Sequence, residues 1–207
     1  MKILAITGPF GSGKTTVTHL VAAALRSSGL QIEIIALDEV SRHILDGDLA
    51  LRKELAEAFG DDILLKDSSL DRAALAACAF ADDDATAKLN ALVHPPTMEH
   101  ARDLLNDARD SQDLVIVESP FPLIYLSEIF TDADNDAQIW TVTADRETRL
   151  LRGIADGFSP EDADRRMDRQ PRASAYQLEA TTVVENDGNL DDLRSKLRAC
   201  LQDSDLR

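Results

Sequence analysis

The sequence predicts an α/β protein: a parallel sheet flanked by helices, interrupted by an inserted helical lobe. Three observations carry this. Short apolar runs of strand length alternate with segments of helical period over most of the chain. The first run, Lys2 to Thr7, ends in a glycine-rich turn that opens a helical pattern. Between Leu49 and about Gln112 the strand signal disappears, and apolar residues recur at helical intervals. A length of 207 residues suits one domain carrying such a lobe.

Taken in order, Lys2 to Thr7 is almost continuously apolar, as a strand buried on both faces should be. Thr15 to Ser27 reads as a helix, with Val17, Leu20, Val21, Ala24 and Leu25 on one face. Gln31 to Leu37 is the second strand, and Asp38 follows it. The lobe, about 49–112, is set out by Leu51, Leu55 and Phe59 and then by Leu75, Phe80, Leu89 and Leu92. Asp82-Asp83-Asp84 is expected to cap a helix N-terminus, where carboxylates accept orphan amide protons; a metal cluster is the rarer use of such a run. At His94-Pro95 the missing amide proton is expected to kink or end a helix and so shape the lobe, with contact to a substrate as the other reading for His94. Strands return at Leu114 to Val117, before Glu118, and at Ala137 to Val142. A helix over Arg146 to Ala155 and an arginine-bearing segment from Ser159 to about Arg172 follow. Thr182 to Val184 is the last strand and Leu190 to Leu201 the last helix.

A hydrophobic fraction of 44% supports a core, and 29% charged residues is ordinary for a globular chain. No apolar run approaches the roughly 20 residues that cross a bilayer. The N-terminus has one charge before an apolar stretch but meets a glycine turn in place of a cleavage site, so it reads as a strand and the expected location is the cytosol. The two cysteines, Cys78 and Cys200, lack ligand spacing and are expected to be reduced thiols. A net charge of −16 argues against nucleic acid and anionic membranes as partners.

The segment Gly8-Pro9-Phe10-Gly11-Ser12-Gly13-Lys14-Thr15 fits the phosphate-loop pattern, in the strand–turn–helix context that the pattern requires. Glycines let the backbone wrap with its amides inward, and the following helix adds its positive end. Gly8, Gly11, Ser12, Gly13, Lys14, Thr15 and Thr16 are therefore the expected ATP contacts. Lys14 would reach the β- and γ-phosphates, and Thr15 would ligate Mg2+. Asp38, after the second strand, has two readings: orienting or deprotonating an acceptor hydroxyl, or capping a helix over Glu39 to Leu45. Arg42 shares its helix face at i+4, as a site cation or as half of a surface ion pair. Glu118 would touch Mg2+ through water or simply end a strand in solvent.

The order Thr7-Gly8 to Thr15, then Leu37-Asp38-Glu39-Val40-Ser41-Arg42, then Leu89-Asn90-Ala91-Leu92-Val93-His94-Pro95, then Val184-Glu185-Asn186-Asp187-Gly188, resembles the dephospho-CoA kinase family. Phe59-Gly60 and the Leu70-Asp71-Arg72 turn add to the likeness, which spans almost the whole chain. The resemblance implies a single P-loop kinase domain over 1–207 with a lid at about 152–178. The implied activity is ATP-dependent phosphorylation of the ribose 3′-hydroxyl of dephospho-CoA in coenzyme A biosynthesis. It places Asp38 on the catalytic aspartate, Arg42 on its partner arginine, and Asn186 with Gly188 near the adenine of ATP.

The lid departs from the family pattern. Pro120-Phe121-Pro122-Leu123-Ile124 lacks the usual glutamate, Ala155 replaces an arginine before Asp156-Gly157, and Tyr176-Gln177 stand where a Lys-Arg pair is usual. Arg152, Arg165, Arg166, Arg169 and Arg172 are candidate substitutes. Arg165 and Arg169, four apart on one face, are the preferred pair, with surface solvation as the alternative. These departures leave two other readings open: a P-loop kinase for another small substrate, and a catalytically weak nucleotide-binding homologue.

Overall fold

The computed structural model describes residues 1–122, 129–130, 134, 136–178 and 180–206. In chain order its elements are β1 (Lys2–Thr7), α1 (Lys14–Arg26), β2 (Ile32–Ala36), α2 (Leu37–Gly47), α3 (Leu49–Phe59), α4 (Arg72–Ala79), α5 (Asp83–Ala108), β3 (Leu114–Ser119), β4 (Gln138–Thr143), α6 (Arg146–Ala155), α7 (Pro160–Arg169), α8 (Ala173–Gln177), β5 (Thr182–Glu185) and α9 (Leu190–Asp203). Two compact units result, Met1–Ala36 with Leu104–Arg207, and Leu37–Asp103.

The first unit holds the sheet. Its five described strands pair in parallel in the order β2-β3-β1-β4-β5. β1 is central: the chain first crosses from it toward β2 and later returns to place β4 on its other side. Crevices for ligands open at the carboxyl ends of strands where the order reverses in this way. Alternate residues of the strands face opposite sides. Leu4, Ile6, Leu114, Ile116, Trp140 and Val142 share one apolar cluster with Val17 and Val21 of α1 and with Leu193 and Leu197 of α9. Ile3, Ala5, Val115 and Val117, with the other parity, are also buried. Burial on both faces is why these strands read as unbroken apolar runs.

The second unit is helical. Leu45, Leu51, Leu55, Ile63, Leu75 and Val93 form its core. Asp48 accepts the Ala50 and Leu51 amides at the start of α3, and Asp71 does the same for Ala73 and Ala74 at α4. Arg72 pairs with Asp46 at 2.7 Å, anchoring α4 to α2. The unit runs from Leu37 to Asp103, where the sequence placed a lobe at about 49–112. α2 joins it because Leu45 is buried in the same cluster as Leu51 and Leu55.

At Asp82 the capping expectation holds: its carboxylate accepts the Ala85 amide at 2.7 Å. Pro95 and Pro96, by contrast, do not end a helix. α5 runs through both as 26 residues. Two prolines cost a helix several kcal/mol, yet Val93 and Met98 on either side are buried, and the Thr97 hydroxyl donates to the Val93 carbonyl at 2.7 Å. Burial of the flanking residues outweighs the lost backbone bonds. Among the described residues no helix is long and apolar enough to cross a membrane.

Candidate active site

The glycine-rich turn leaves β1 at Thr7 and enters α1 at Lys14. Gly11 has φ +73°, and a Cβ there would lie 2.5 Å from the Arg149 carbonyl oxygen. Gly13 has φ +90° and forms the N-cap of α1. The five helices α3, α4, α6, α7 and α9 are each capped by an Asp, Ser or Asn side chain. α1 has no side-chain cap and no acid in its first turn, in a chain with 38 acidic residues. Its orphan amides therefore stay available to an anion. The Ser12 hydroxyl is buried in the same loop with no hydrogen-bond partner among the described residues. Lys14 Nζ donates to the Pro9 carbonyl at 3.2 Å, folded along its own loop. Thr16 is exposed in the first turn of α1. We expect Gly11→Ala to weaken ATP binding roughly tenfold to hundredfold in a calorimetric titration, the size of a side chain forced into a left-handed conformation. Unchanged affinity would show that the loop is not so tightly determined.

Below the loop, the Thr15 hydroxyl donates to Glu118 Oε1 at 2.6 Å. Glu118 is paired in register with Ile6 of β1 on one side and with Ala36 of β2 on the other. An oxygen pair of this kind suits a hard divalent cation such as Mg2+, which takes few protein ligands and retains waters.

The outer side of the loop rests on α6. Arg149 Nε donates to the Phe10 carbonyl at 2.7 Å, and its Nη2 donates to Gln170 Oε1 at 3.2 Å. Gln170 Oε1 also accepts the Phe10 amide at 2.8 Å. Arg152 Nη1 reaches the Gly11 and Ser12 carbonyls at 3.3 and 3.2 Å, and Nη2 reaches the Asn186 carbonyl at 2.8 Å. Asn186 is buried, and its side-chain amide donates to the Ser12 carbonyl at 2.9 Å. The Phe10 ring meets Phe158 edge to face at 5.3 Å, and the Arg166 guanidinium lies 4.5 Å from the Phe158 ring centre. Burial lowers the pKa of Arg149 from its ordinary value, though an arginine remains charged at neutral pH. Sequence reasoning did not single out Arg149. The available signal was its i,i+3 spacing to Arg152, which puts both on one helix face.

Asp38 and Arg42 belong to the second unit. Asp38 lies inside the first turn of α2, exposed, not ahead of the helix. Arg42 is exposed one turn on, and the two form no ion pair with each other. On α7 the buried face is Ala163 and Met167; Arg165 and Arg169 project from the exposed side, Arg165 pairing with Asp162 at 3.2 Å. Arg146 ties α6 to α7 through Asp164 and Asp168, both at 2.7 Å. Gly188 lies where a Cβ would crowd the Asp192 carboxylate, itself part of the capping box of α9. Tyr176, one of the two departures after Gln170, is buried: its hydroxyl donates to the Pro120 carbonyl at 3.1 Å, and its own carbonyl accepts from Thr141. Leu123 and Ile124 lie outside the described residues.

A family model described as CoaE, dephospho-CoA kinase, matches residues 2–192. A dephospho-CoA kinase of Corynebacterium glutamicum is 37% identical over 194 residues, covering 93% of this chain and 92% of that one. One from Moorella thermoacetica is 34% identical over 206 residues, covering 98% and 92%. Among solved structures, TT1252 from Thermus thermophilus aligns with a TM-score of 0.71 at 31% identity, over 98% of this chain and 97% of that one. A shikimate kinase from Acinetobacter baumannii shares the fold, with a TM-score of 0.54 at 17% identity over 100% and 96% of the two chains.

Proposed function

Because the chain belongs to the dephospho-CoA kinase family, we propose a residue-level account of its reaction, the ATP-dependent phosphorylation of dephospho-CoA to CoA. The observation that carries the account is the uncapped, amide-lined start of α1, with Lys14 and Thr15 in its first turn. Gly8, Gly11, Ser12, Gly13 and Thr16 line the phosphates. Lys14 turns from the Pro9 carbonyl to the β- and γ-phosphates as they arrive. Thr15 and Glu118, joined by a 2.6 Å hydrogen bond, would hold Mg2+. When bound, that ion neutralises charge on the phosphates and fixes their orientation.

Asp38 orients the 3′-hydroxyl of the acceptor ribose and accepts its proton. Arg42, one turn along α2, holds the acceptor's anionic groups. Asn186 and Gly188 shape the adenine side of the nucleotide site. The strong net negative charge repels nucleic acid and anionic membranes, which fits a small-molecule kinase working in the cytosol.

Arg165 and Arg169 serve as lid cations. Their exposed, same-face placement supports this, since two guanidinium groups can meet the spreading charge of the transferred phosphoryl group. We expect the double variant Arg165→Ala/Arg169→Ala to slow single-turnover transfer from ATP to dephospho-CoA by about two orders of magnitude or more, with ATP affinity nearly unchanged. Full activity in the double variant would reduce these arginines to surface charge.

A further inference from the structure

We infer that Arg149 and Arg152 are positioning residues for the phosphate loop, holding its carbonyls outward so that its amides face the phosphates. The inference rests on reading the loop as the ATP phosphate site. In a planar trans peptide the carbonyl of one residue and the amide of the next point in opposite directions. Arg149 fixes the Phe10 carbonyl, which directs the Gly11 N–H to the other side of the loop. Arg152 and the Asn186 amide fix the Ser12 carbonyl, which does the same for the Gly13 N–H. The Ser12 N–H, paired with the Gly11 carbonyl in this sense, closes a turn onto Pro9 at 3.2 Å. Gln170 takes the Phe10 amide outward and so completes the outer contacts.

Glycine makes the loop's conformation accessible, but it does not select it, because Gly samples left-handed and right-handed regions about equally. The selection comes from α6. Each guanidinium is a planar fork, and Arg152 uses its fork to join the Gly11, Ser12 and Asn186 carbonyls, three acceptors on two separate segments. A lysine carries a single point charge and cannot span them in this geometry. Phe10, packed against Phe158, adds an apolar contact to the same wall. Positive charge on the carbonyl side also polarises these peptides and strengthens their N–H donors. In this chain the two α6 arginines therefore serve the loop from behind, and they are distinct from Arg165 and Arg169 on the exposed face of α7.

The test uses Arg152→Lys and Arg152→Ala with inorganic tripolyphosphate as the probe, which reads the loop without nucleoside contacts or turnover. Wild-type protein should bind it; absence of binding would sink the phosphate-loop reading itself. Arg152→Lys should lose at least about fivefold in affinity although the charge is kept, and Arg152→Ala more, on the scale of hydrogen bonds to a charged group. Steady-state kinetics should show a raised KM for ATP with kcat within about threefold and KM for dephospho-CoA unchanged, the signature of lost uniform binding. Should the alanine variant not fold, the lysine variant, checked by its thermal melt, decides. Wild-type affinity in Arg152→Lys would mean that charge alone matters and overturn the positioning role. A fall in kcat with tripolyphosphate affinity intact would instead make Arg152 a direct contact of the transferred phosphoryl group, which also overturns it.

Discussion

Lys14→Ala is expected to abolish detectable phosphoryl transfer while the protein keeps its fold. Lys14 lies in the first turn of α1 with its ammonium on the Pro9 carbonyl, and its side chain is not part of the apolar cluster that Val17, Val21 and Leu25 form on that helix. Removing it opens no core cavity. On the role proposed for Lys14, what is lost is a preorganised positive charge beside the β- and γ-phosphates, where charge moves in the transition state. Loss of a single preorganised donor costs about 10²–10³ in turnover, and a full charge at the transferred group should cost at least the upper figure. The check is single-turnover transfer together with a thermal melt. Near-normal turnover in a folded variant would remove the phosphate loop from the mechanism.

Asp38→Asn should lower kcat by about two to four orders of magnitude, the range of a general acid–base contribution, with little change in ATP affinity. The amide keeps the size of the carboxylate but could not serve the proposed role of taking the acceptor hydroxyl's proton. Asp38 is exposed in the first turn of α2, directly after the carboxyl end of β2, so the substitution disturbs no core. A calorimetric titration separates the two possible roles. Lost ATP affinity with turnover per bound ATP intact would make Asp38 a nucleotide ligand.

Much of the sheet was legible because its strands are buried on both faces. Lys2 to Thr7 needs no partner information to read as a strand, and it is β1 without adjustment. Arg146 to Ala155 likewise came out as α6 from its helical period, and the structure adds Asp145 as the cap of its first turn. The continuous α5 was not legible. Proline at position 95 is expected to kink or end a helix, and only the structure shows that α5 does not end there, with Val93, Thr97 and Met98 buried around the two prolines. Nor was the extent of the lobe, since only packing reveals that α2 shares a core with α3.

At the site, the loop follows from its motif, while the direct Thr15–Glu118 hydrogen bond appears only in the structure. The arginine contacts behind the loop likewise appear only there. They join residues 139 to 141 positions apart in the chain, through carbonyls that every residue possesses, so no residue type on the loop side announces them. Tyr176 is a similar case: read as a missing cation, it is a buried side chain that anchors α8 to the Pro120 carbonyl.

The most direct test of the account is a coupled ADP-release assay with Mg2+ and ATP, run with dephospho-CoA beside a panel of nucleosides and nucleotides, with the product's phosphate position fixed by phosphorus NMR. The account predicts ADP release that depends on dephospho-CoA, yields the 3′-phosphorylated product, and disappears in Lys14→Ala. Equal or faster release with another acceptor, or release that ignores dephospho-CoA, would contradict it.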